Sequence, residues 1–311
     1  MDTNDLLSDV FSTLRISSDI YFRTQFSGQY SVFLPTEKRR IRIHVVLRGS
    51  CWLCVEGSEP VFLSEGDVAL VPNGASQSIK ASPTIPPVNL QDLIAAGAIK
   101  DQTLQVGEGI ETASLLCGFC YFDEEVDHPV TAILPTYIHL RHQDLGSAPW
   151  LSATMTLIML EAKLNSQGTS AILNRLIEII VVQATRQLAL NDKEESKGFL
   201  RALSDKALSK ALFSIHSHPE EAWRVENLAD LAGMSRSNFA KKFLVQIGKT
   251  PMEYLRDWRL MRARILLTNT DLSIEEIVAQ IGYVSLPSFS KLFKNRFNIG
   301  PSAYRRGGGR S

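Results

Sequence analysis

The chain has 311 residues, 44% of them hydrophobic, with 33 Lys+Arg balancing 33 Asp+Glu. This is long enough for two domains and a sizeable core, and the zero net charge excludes a uniformly basic or acidic binder. The balance hides a split: from Ser204 onward 17 Lys+Arg face 10 Asp+Glu, a surplus of +7, whereas residues 1–203 carry 16 against 23, or −7. A basic module attached to an acidic one fits nucleic-acid binding at one end only.

Residues 1–20 predict a short amphipathic helix through Leu6, Leu7, Val10 and Leu14. The acidic start MDTNDLLSDVF lacks the basic segment and apolar run of a secretory signal. No run of about 18 apolar residues is present to span a membrane, so a cytoplasmic protein is expected. From Tyr21 to about Gln77 the pattern is that of strands. Ile41, Ile43, Val45 and Leu47 alternate with Arg42, His44, Val46 and Arg48, and Gly49, Gly57, Gly66 and Gly74 punctuate short runs as in a small antiparallel barrel or sandwich. Residues 81–113 form a polar excursion with a short helix at Leu90–Ala98, and strand pattern resumes at Ala113–Phe122 before the acidic turn DEEVDH.

Pro149 opens a helical section: one helix over Trp150–Lys163, a break at Gly168 and a second helix over Thr169–Leu190. The second is apolar around much of its girth, through Ile172, Leu173, Leu176, Ile177, Ile179, Ile180 and Val182. So wide a face must bury both flanks, one on its own domain and one on a second subunit or a two-sided core. The charged NDKEESKG, Asn191–Gly198, reads as a linker.

Val225–Ile247 then predicts two short helices around a tight turn, stopped at Gly233 and restarted by Ser235 as N-cap. Phe239, Phe243 and Ile247 mark the inner face of the second helix; Ser237, Asn238 and Lys241 mark the outer one, with Arg236 in the first turn. Small polar and cationic groups on one face of a helix suit a major groove. Sliding the sequence by 50 residues lays Ser235, Phe239, Lys241, Phe243, Pro251 and Tyr254 on Ser285, Phe289, Lys291, Phe293, Pro301 and Tyr304, and Leu231 on Ile281. Two copies of one helix-turn-helix unit follow. PMEYLRDWRLMRARILL joins them as a helix with a stripe of Leu255, Trp258, Met261 and Ile265. About 17 helical residues span roughly 26 Å, approaching the ~34 Å of one DNA turn. The phenylalanines of both copies are packing residues.

The segment from about Asp205 to Arg306, above all DLSIEEIVAQIGYVSLPSFSKLFKNRFNIGPSAYR, resembles the DNA-binding domain of AraC/XylS-type bacterial transcription regulators. GSCWLCVEGSEPVFLSEGDVALVPNGASQS, Gly49–Ser78, resembles a cupin barrel, and the N-terminal part is similar to the cupin-type sensor of one AraC-like subfamily, a grouping HPEEAW at His218–Trp223 also supports. The resemblance implies dimerisation through the helix pair and an encounter with RNA polymerase. It also exposes a departure: Leu286 and Pro287 stand at the entrance of the second reading helix where relatives carry polar residues. The second unit is therefore expected to anchor more than read, with Lys291 and Lys294 on phosphate and Ser288 near bases. Cupin enzymes hold a metal with histidines and a carboxylate; here Gln77 stands where a second histidine is expected and the earlier strand offers only His44. One histidine assembles neither a facial triad nor a three-ligand zinc site.

Two Cys-x-x-Cys pairs, Cys51/Cys54 and Cys117/Cys120, lie in strand pattern, where residues three apart face opposite sides. That geometry disfavours zinc. Cys51 and Cys117 could share the barrel interior, with Cys54 and Cys120 outside, either as a redox pair or as small apolar packing residues.

The expected fold is α+β in two domains: an N-terminal cupin-like β-barrel with a helical hairpin and a C-terminal all-α tandem helix-turn-helix. Boundaries fall at 1–148 for the sensor, 149–190 for the helical dimerisation segment, 191–203 for the linker, 204–306 for the DNA-binding domain and 307–311 for a flexible tail. The expected function is sequence-specific transcription regulation, without catalysis, cofactor or metal. Expected partners are a double-stranded DNA operator, a second copy through the N-terminal domain, RNA polymerase, and a small-molecule or oxidant effector near His44, Cys51, Cys54, Cys117 and Cys120, with no membrane. DNA contacts fall to Arg236, Ser237, Asn238, Lys241, Ser288, Lys291 and Lys294. The rivals are a cupin-type metal enzyme fused to a DNA-binding module, and a helical scaffold that contacts protein.

Overall fold

The computed structural model describes residues 6–14, 16–121, 134–143, 149–164, 166–190, 201–202 and 205–307. The DEEVDH turn, the Asn191–Gly198 linker and the tail beyond Gly307 lie outside the described residues. The described chain divides into two compact units, one running from Ile16 to Gln187 and the other combining the first helix with everything from Leu188 onward.

The first unit is an 11-stranded curled sheet in the order β7-β2-β6-β3-β10-β1-β9-β8, with β4 and β5 also on β3 and β11 on β5. Its strands are β1 (Ser17–Ser27), β2 (Ser31–Leu34), β3 (Arg40–Val55), β4 (Val61–Ser64), β5 (Val68–Val71), β6 (Gln77–Lys80), β7 (Val88–Asn89), β8 (Ile99–Lys100), β9 (Thr103–Val106), β10 (Glu111–Tyr121) and β11 (Ile138–Leu140). The long β3 closes the barrel by changing partners along its length. Arg40–Gly49 pair with β10, Ser50–Leu53 with β4 and Trp52–Val55 with β6. The change falls at Gly49, whose φ is +74° and where a Cβ would meet the Thr112 carbonyl oxygen at 2.0 Å. Only glycine takes that bend at that approach. The cupin-like barrel expected from the sequence is borne out.

A strand buried on one face would turn its polar phase to water. Both faces of β3 are buried here. Arg42 and His44 point with Val46 into the barrel, while Ile41, Ile43 and Val45 are buried on the other side. The outer face is covered by the helical hairpin. The opening helix of the C-terminal unit is α1 (Leu6–Leu14) and the excursion helix is α2 (Leu90–Ala95), so the hairpin helices are α3 (Pro149–Leu164) and α4 (Thr169–Leu190). A Cβ at Gly118, the cross-strand partner of Ile43, would lie 3.3 Å from Ile177 of α4. Ser18 Oγ donates to the Asn174 carbonyl at 2.8 Å. Leu173, Leu176, Ile177 and Ile180 are buried, so one flank of α4 covers its own domain as expected.

The second unit contains α1 and α5 (Lys206–Ser217), α6 (Val225–Leu231), α7 (Arg236–Ile247), α8 (Pro251–Asn269), α9 (Ile274–Gln280), α10 (Leu286–Phe297) and α11 (Pro301–Gly307). By its contacts α1 belongs here, against α5 and α8, with Leu6, Val10 and Phe11 buried. The two helix-turn-helix units are α6–α7 and α9–α10. Each core carries the same edge-on aromatic pair: Phe243 on Tyr254 at 5.8 Å and 72°, Phe293 on Tyr304 at 5.6 Å and 81°. The connector α8 serves both cores. Tyr254 and Trp258 pack near His216, whereas Leu260, Ala263 and Leu267 enter the second core. Ile265, expected on the inner stripe, is only half-buried because the buried face rotates between the two cores.

Candidate functional site

Each reading helix begins on a serine. Ser235 Oγ accepts from the Asn238 amide and Ser285 Oγ from the Ser288 amide, so both helices start at a defined rotation. On α7, Phe239, Phe243 and Ile247 are buried, and Arg236, Ser237, Asn238 and Lys241 are exposed on the opposite side. The Arg236 guanidinium lies 2.9 Å from the Glu226 carboxylate, both well exposed. Lys242, one residue further, pairs with Asp205, the N-cap of α5, and is committed to the fold. On α10, Phe289, Phe293 and Phe297 are buried while Ser288, Lys291 and Lys294 are exposed. The structure thus puts three or more of the named residues of each unit on one outward helical face. Leu286 is half-buried and Pro287 exposed.

The repeat is not in one register throughout. Leu228 and Ala229 correspond to buried Ile277 and Val278, a shift of 49, while the reading helices keep the shift of 50. Placing Leu231 on Ile281 is therefore corrected: Leu231 is exposed and Ile281 buried. Amide bonds locate the slip. Gly233 and Met234 donate to Asp230 and Ala229, and Gly282 and Tyr283 donate in the same way to Ala279 and Val278. The first turn then goes straight to its N-cap Ser235. The second inserts Val284 before Ser285, and Val284 is 104% exposed. A constant-offset comparison hides this residue; aligning glycine to glycine and serine to serine separately reveals it.

The second turn is held from behind by HPEEAW. Arg259 of α8 donates to the Pro219 and Glu221 carbonyls at 2.7 and 2.8 Å and lies 5.6 Å from the Tyr283 ring centroid. A Cβ at Gly282, whose φ is +77°, would meet the Glu220 carbonyl at 2.6 Å.

In the barrel, Cys51 and Cys117 share the interior core, and Cys54 and Cys120 lie outside it. All four are free thiols. His44 Nδ1 is 3.2 Å from Cys117 Sγ. Burial, with the Arg42 charge second, lowers the His44 pKa to about 3, so the ring is neutral. Arg42 donates to the Leu34, Pro35 and Ala75 carbonyls and pairs with Glu37 at 3.2 Å. His44 Nε2, Arg42 Nε, Ser31 Oγ and both amide atoms of Gln77 are buried without a hydrogen-bond partner among the described residues. The Gln77 amide lies near enough to His44 to favour its charged form slightly. Among the described residues no group of three His, Cys, Asp or Glu is placed to hold a metal ion.

Burial pushes the Cys51 thiol up to about 12, with Asp67 adding to the rise. Burial also pushes Cys117 and Cys120 up, reinforced by Cys51 and Glu178 respectively. Cys54 is raised by milder burial that Lys80 opposes. Thiolate is the reacting species. Native alkylation at pH 8 should therefore label Cys54 at least about tenfold faster than the other three. Mass spectrometry after timed iodoacetamide quenching reads the order, and comparable labelling of Cys51 or Cys117 would contradict it.

Two capped helices, each backed by phenylalanines and presenting serine and lysine outward, in a chain that also folds a cupin-like barrel, define a DNA-binding transcription regulator. Residues 5–189 match the cupin family and residues 228–307 a helix-turn-helix domain family. Similar proteins include an HTH-type transcriptional regulator of Haemophilus influenzae, 30% identical over 97% of this chain and 98% of its own. The regulator AlkR of Acinetobacter baylyi is 28% identical over 97% and 99%. An AraC-like transcription regulator of Streptomyces lividans is 28% identical over 97% and 98%. The chain belongs to the AraC family of transcriptional regulators carrying an N-terminal cupin domain. No helix among the described residues is long and apolar enough to cross a membrane.

Proposed function

We propose that the protein is a cytoplasmic, non-enzymatic regulator that binds its operator as a homodimer, reads bases chiefly with Ser237, Asn238 and Lys241, and meets RNA polymerase from the bound duplex. Arg236 exchanges Glu226 for DNA on binding. Ser288 would sit near bases, and Lys291 and Lys294 on phosphate. The observation that carries this reading is the doubled arrangement: two outward polar faces of like geometry, joined by the 19-residue α8. That helix is about 28 Å long, close to the ~34 Å separating successive major grooves on one side of a duplex.

The barrel is proposed to sense a small polar effector. The buried atoms of Ser31, Arg42, His44 and Gln77 that lack a well-aligned partner support this, since such groups are costly and a ligand rich in donors and acceptors would satisfy them. The raised thiols favour such a ligand over an oxidant as the signal, leaving Cys51 and Cys117 as small apolar packing residues.

Lys241→Ala tests the reading role. Loss of a base contact should cost about 1–3 kcal/mol on the preferred sequence and little on random duplex. Equal weakening on both, with the salt slope lowered by about one, would instead assign Lys241 to phosphate. No salt-dependent duplex binding by the unmodified protein would sink the DNA-binding proposal and favour a protein scaffold.

A further inference from the structure

The second turn carries apolar surface open to solvent, on Val284, on Pro287 and on the part of Leu286 that does not pack on the second core. Val284 is 104% exposed, Pro287 is exposed and Leu286 half-buried, all within four residues of one another around the N-cap of α10. The corresponding first-unit positions for Leu286 and Pro287 are Arg236 and Ser237, and Val284 has no counterpart there. Its neighbour Tyr283 is fixed from behind by the Val278 carbonyl and Arg259. Ser285 caps the helix on the other side, so Val284 is held outward by both flanks.

The N-terminal residues of a reading helix face base edges. In the major groove the edge groups are hydrogen-bond donors and acceptors, together with the small C5–H of cytosine and the C5-methyl of thymine, and the methyl offers the largest apolar contact. Valine, proline and leucine side chains cannot hydrogen-bond, yet exposed Lys291 and Lys294 on the same helix complement phosphate. Resting on the duplex-binding role proposed above, we infer that the second unit is a thymine-methyl reader: Val284 and Pro287, with the rim of Leu286, pack on the C5-methyl of one or two thymines. Specificity in this half of the operator comes from apolar contact, whereas the first unit uses hydrogen bonds. The second copy therefore does more than grip the backbone.

The test uses the full-length protein and a high-affinity duplex recovered from random sequences. Each dT is replaced singly by deoxyuridine, which removes the methyl and keeps every hydrogen-bonding group. One or two replacements on the second-unit side should weaken binding about fourfold, the worth of roughly one buried methyl-sized group. Val284→Ser should lose a similar factor on the dT duplex and become indifferent to the replacement. Pro287→Ala provides a second, independent variant. Val284 is fully exposed, so its replacement leaves the fold intact. Full affinity for every deoxyuridine duplex overturns the inference while leaving specific duplex binding standing. So does a Val284→Ser loss equal on dT and deoxyuridine duplexes. A Val284→Ser protein with unchanged DNA affinity but reduced transcription also overturns it and assigns the patch to polymerase. Absence of any salt-dependent specific binding by the wild type would instead remove the duplex-binding role itself.

Discussion

Phe293→Ala should cost about 3–5 kcal/mol, a large share of the ~5–15 kcal/mol that holds a domain together. The Phe293 ring is fully buried at the middle of α10 and touches three others, Phe289 at 5.5 Å, Phe297 at 4.5 Å and Tyr304 at 5.6 Å. Truncation leaves a cavity that none of these rings can fill without leaving its own rotamer. The same substitution at Phe243 should cost a comparable amount, because that ring meets Phe239 at 5.6 Å and Tyr254 at 5.8 Å in the same arrangement. The consequence for function differs from that of a surface change. Ser288 and Lys291 ride on the helix that Phe293 anchors, so loosening its core removes all second-unit contacts together. Urea melts followed by circular dichroism, with binding to the operator measured beside them, check both statements. Phe293→Leu keeps most of the volume, should lose less than about 1.5 kcal/mol, and should retain binding. A Phe293→Ala protein as stable as wild type would show that the second core is not built as described.

The repeat could be read from sequence because two phenylalanines four residues apart, the second followed 11 residues on by a tyrosine, leave a period that survives any surface change. The inserted Val284 could not. A sliding comparison scores identities at one offset, and the slip from 49 to 50 falls in a turn where only backbone hydrogen bonds mark equivalence. In the barrel, alternation along β3 located the strand but not its two-sided burial. Arg42 and His44 are kept from water by the closing of the barrel around them, and Ile41, Ile43 and Val45 by α4 arriving over the outer face, a contact some 130 residues away in sequence. The placing of α1 was hidden for the same reason. Leu6, Val10 and Phe11 define an apolar face, and nothing in their spacing says which domain receives it.

The dimer proposed above would rest on a stripe that periodicity assigned only partly. The wide apolar girth of α4 drew attention to that helix, where Ile172 and Ile179 are 47% and 45% exposed. The larger share lies on α3, with Leu157, Leu160 and Leu164 at 52%, 55% and 66%. Their spacing of three and four places them on one face. Five large aliphatic side chains open to water on one hairpin are the surface proposed for the second subunit, and burying each would contribute up to about 1.5–3 kcal/mol. The double variant Leu160→Asp, Leu164→Asp should therefore shift the protein to monomer in sedimentation at micromolar concentration. Two carboxylates on each copy would have to desolvate facing two more. Because both leucines are more than half exposed, the melting transition of each domain should move little. DNA binding separates the roles further. Linking two modules raises affinity by about 10²–10⁴ without new contacts, so the monomeric variant should lose that factor on an operator with two half-sites and almost nothing on a single half-site. Lys241→Ala should do the opposite, losing similar factors on both. If the double variant still sediments as a dimer, the exposed leucines serve another contact and the subunits meet elsewhere.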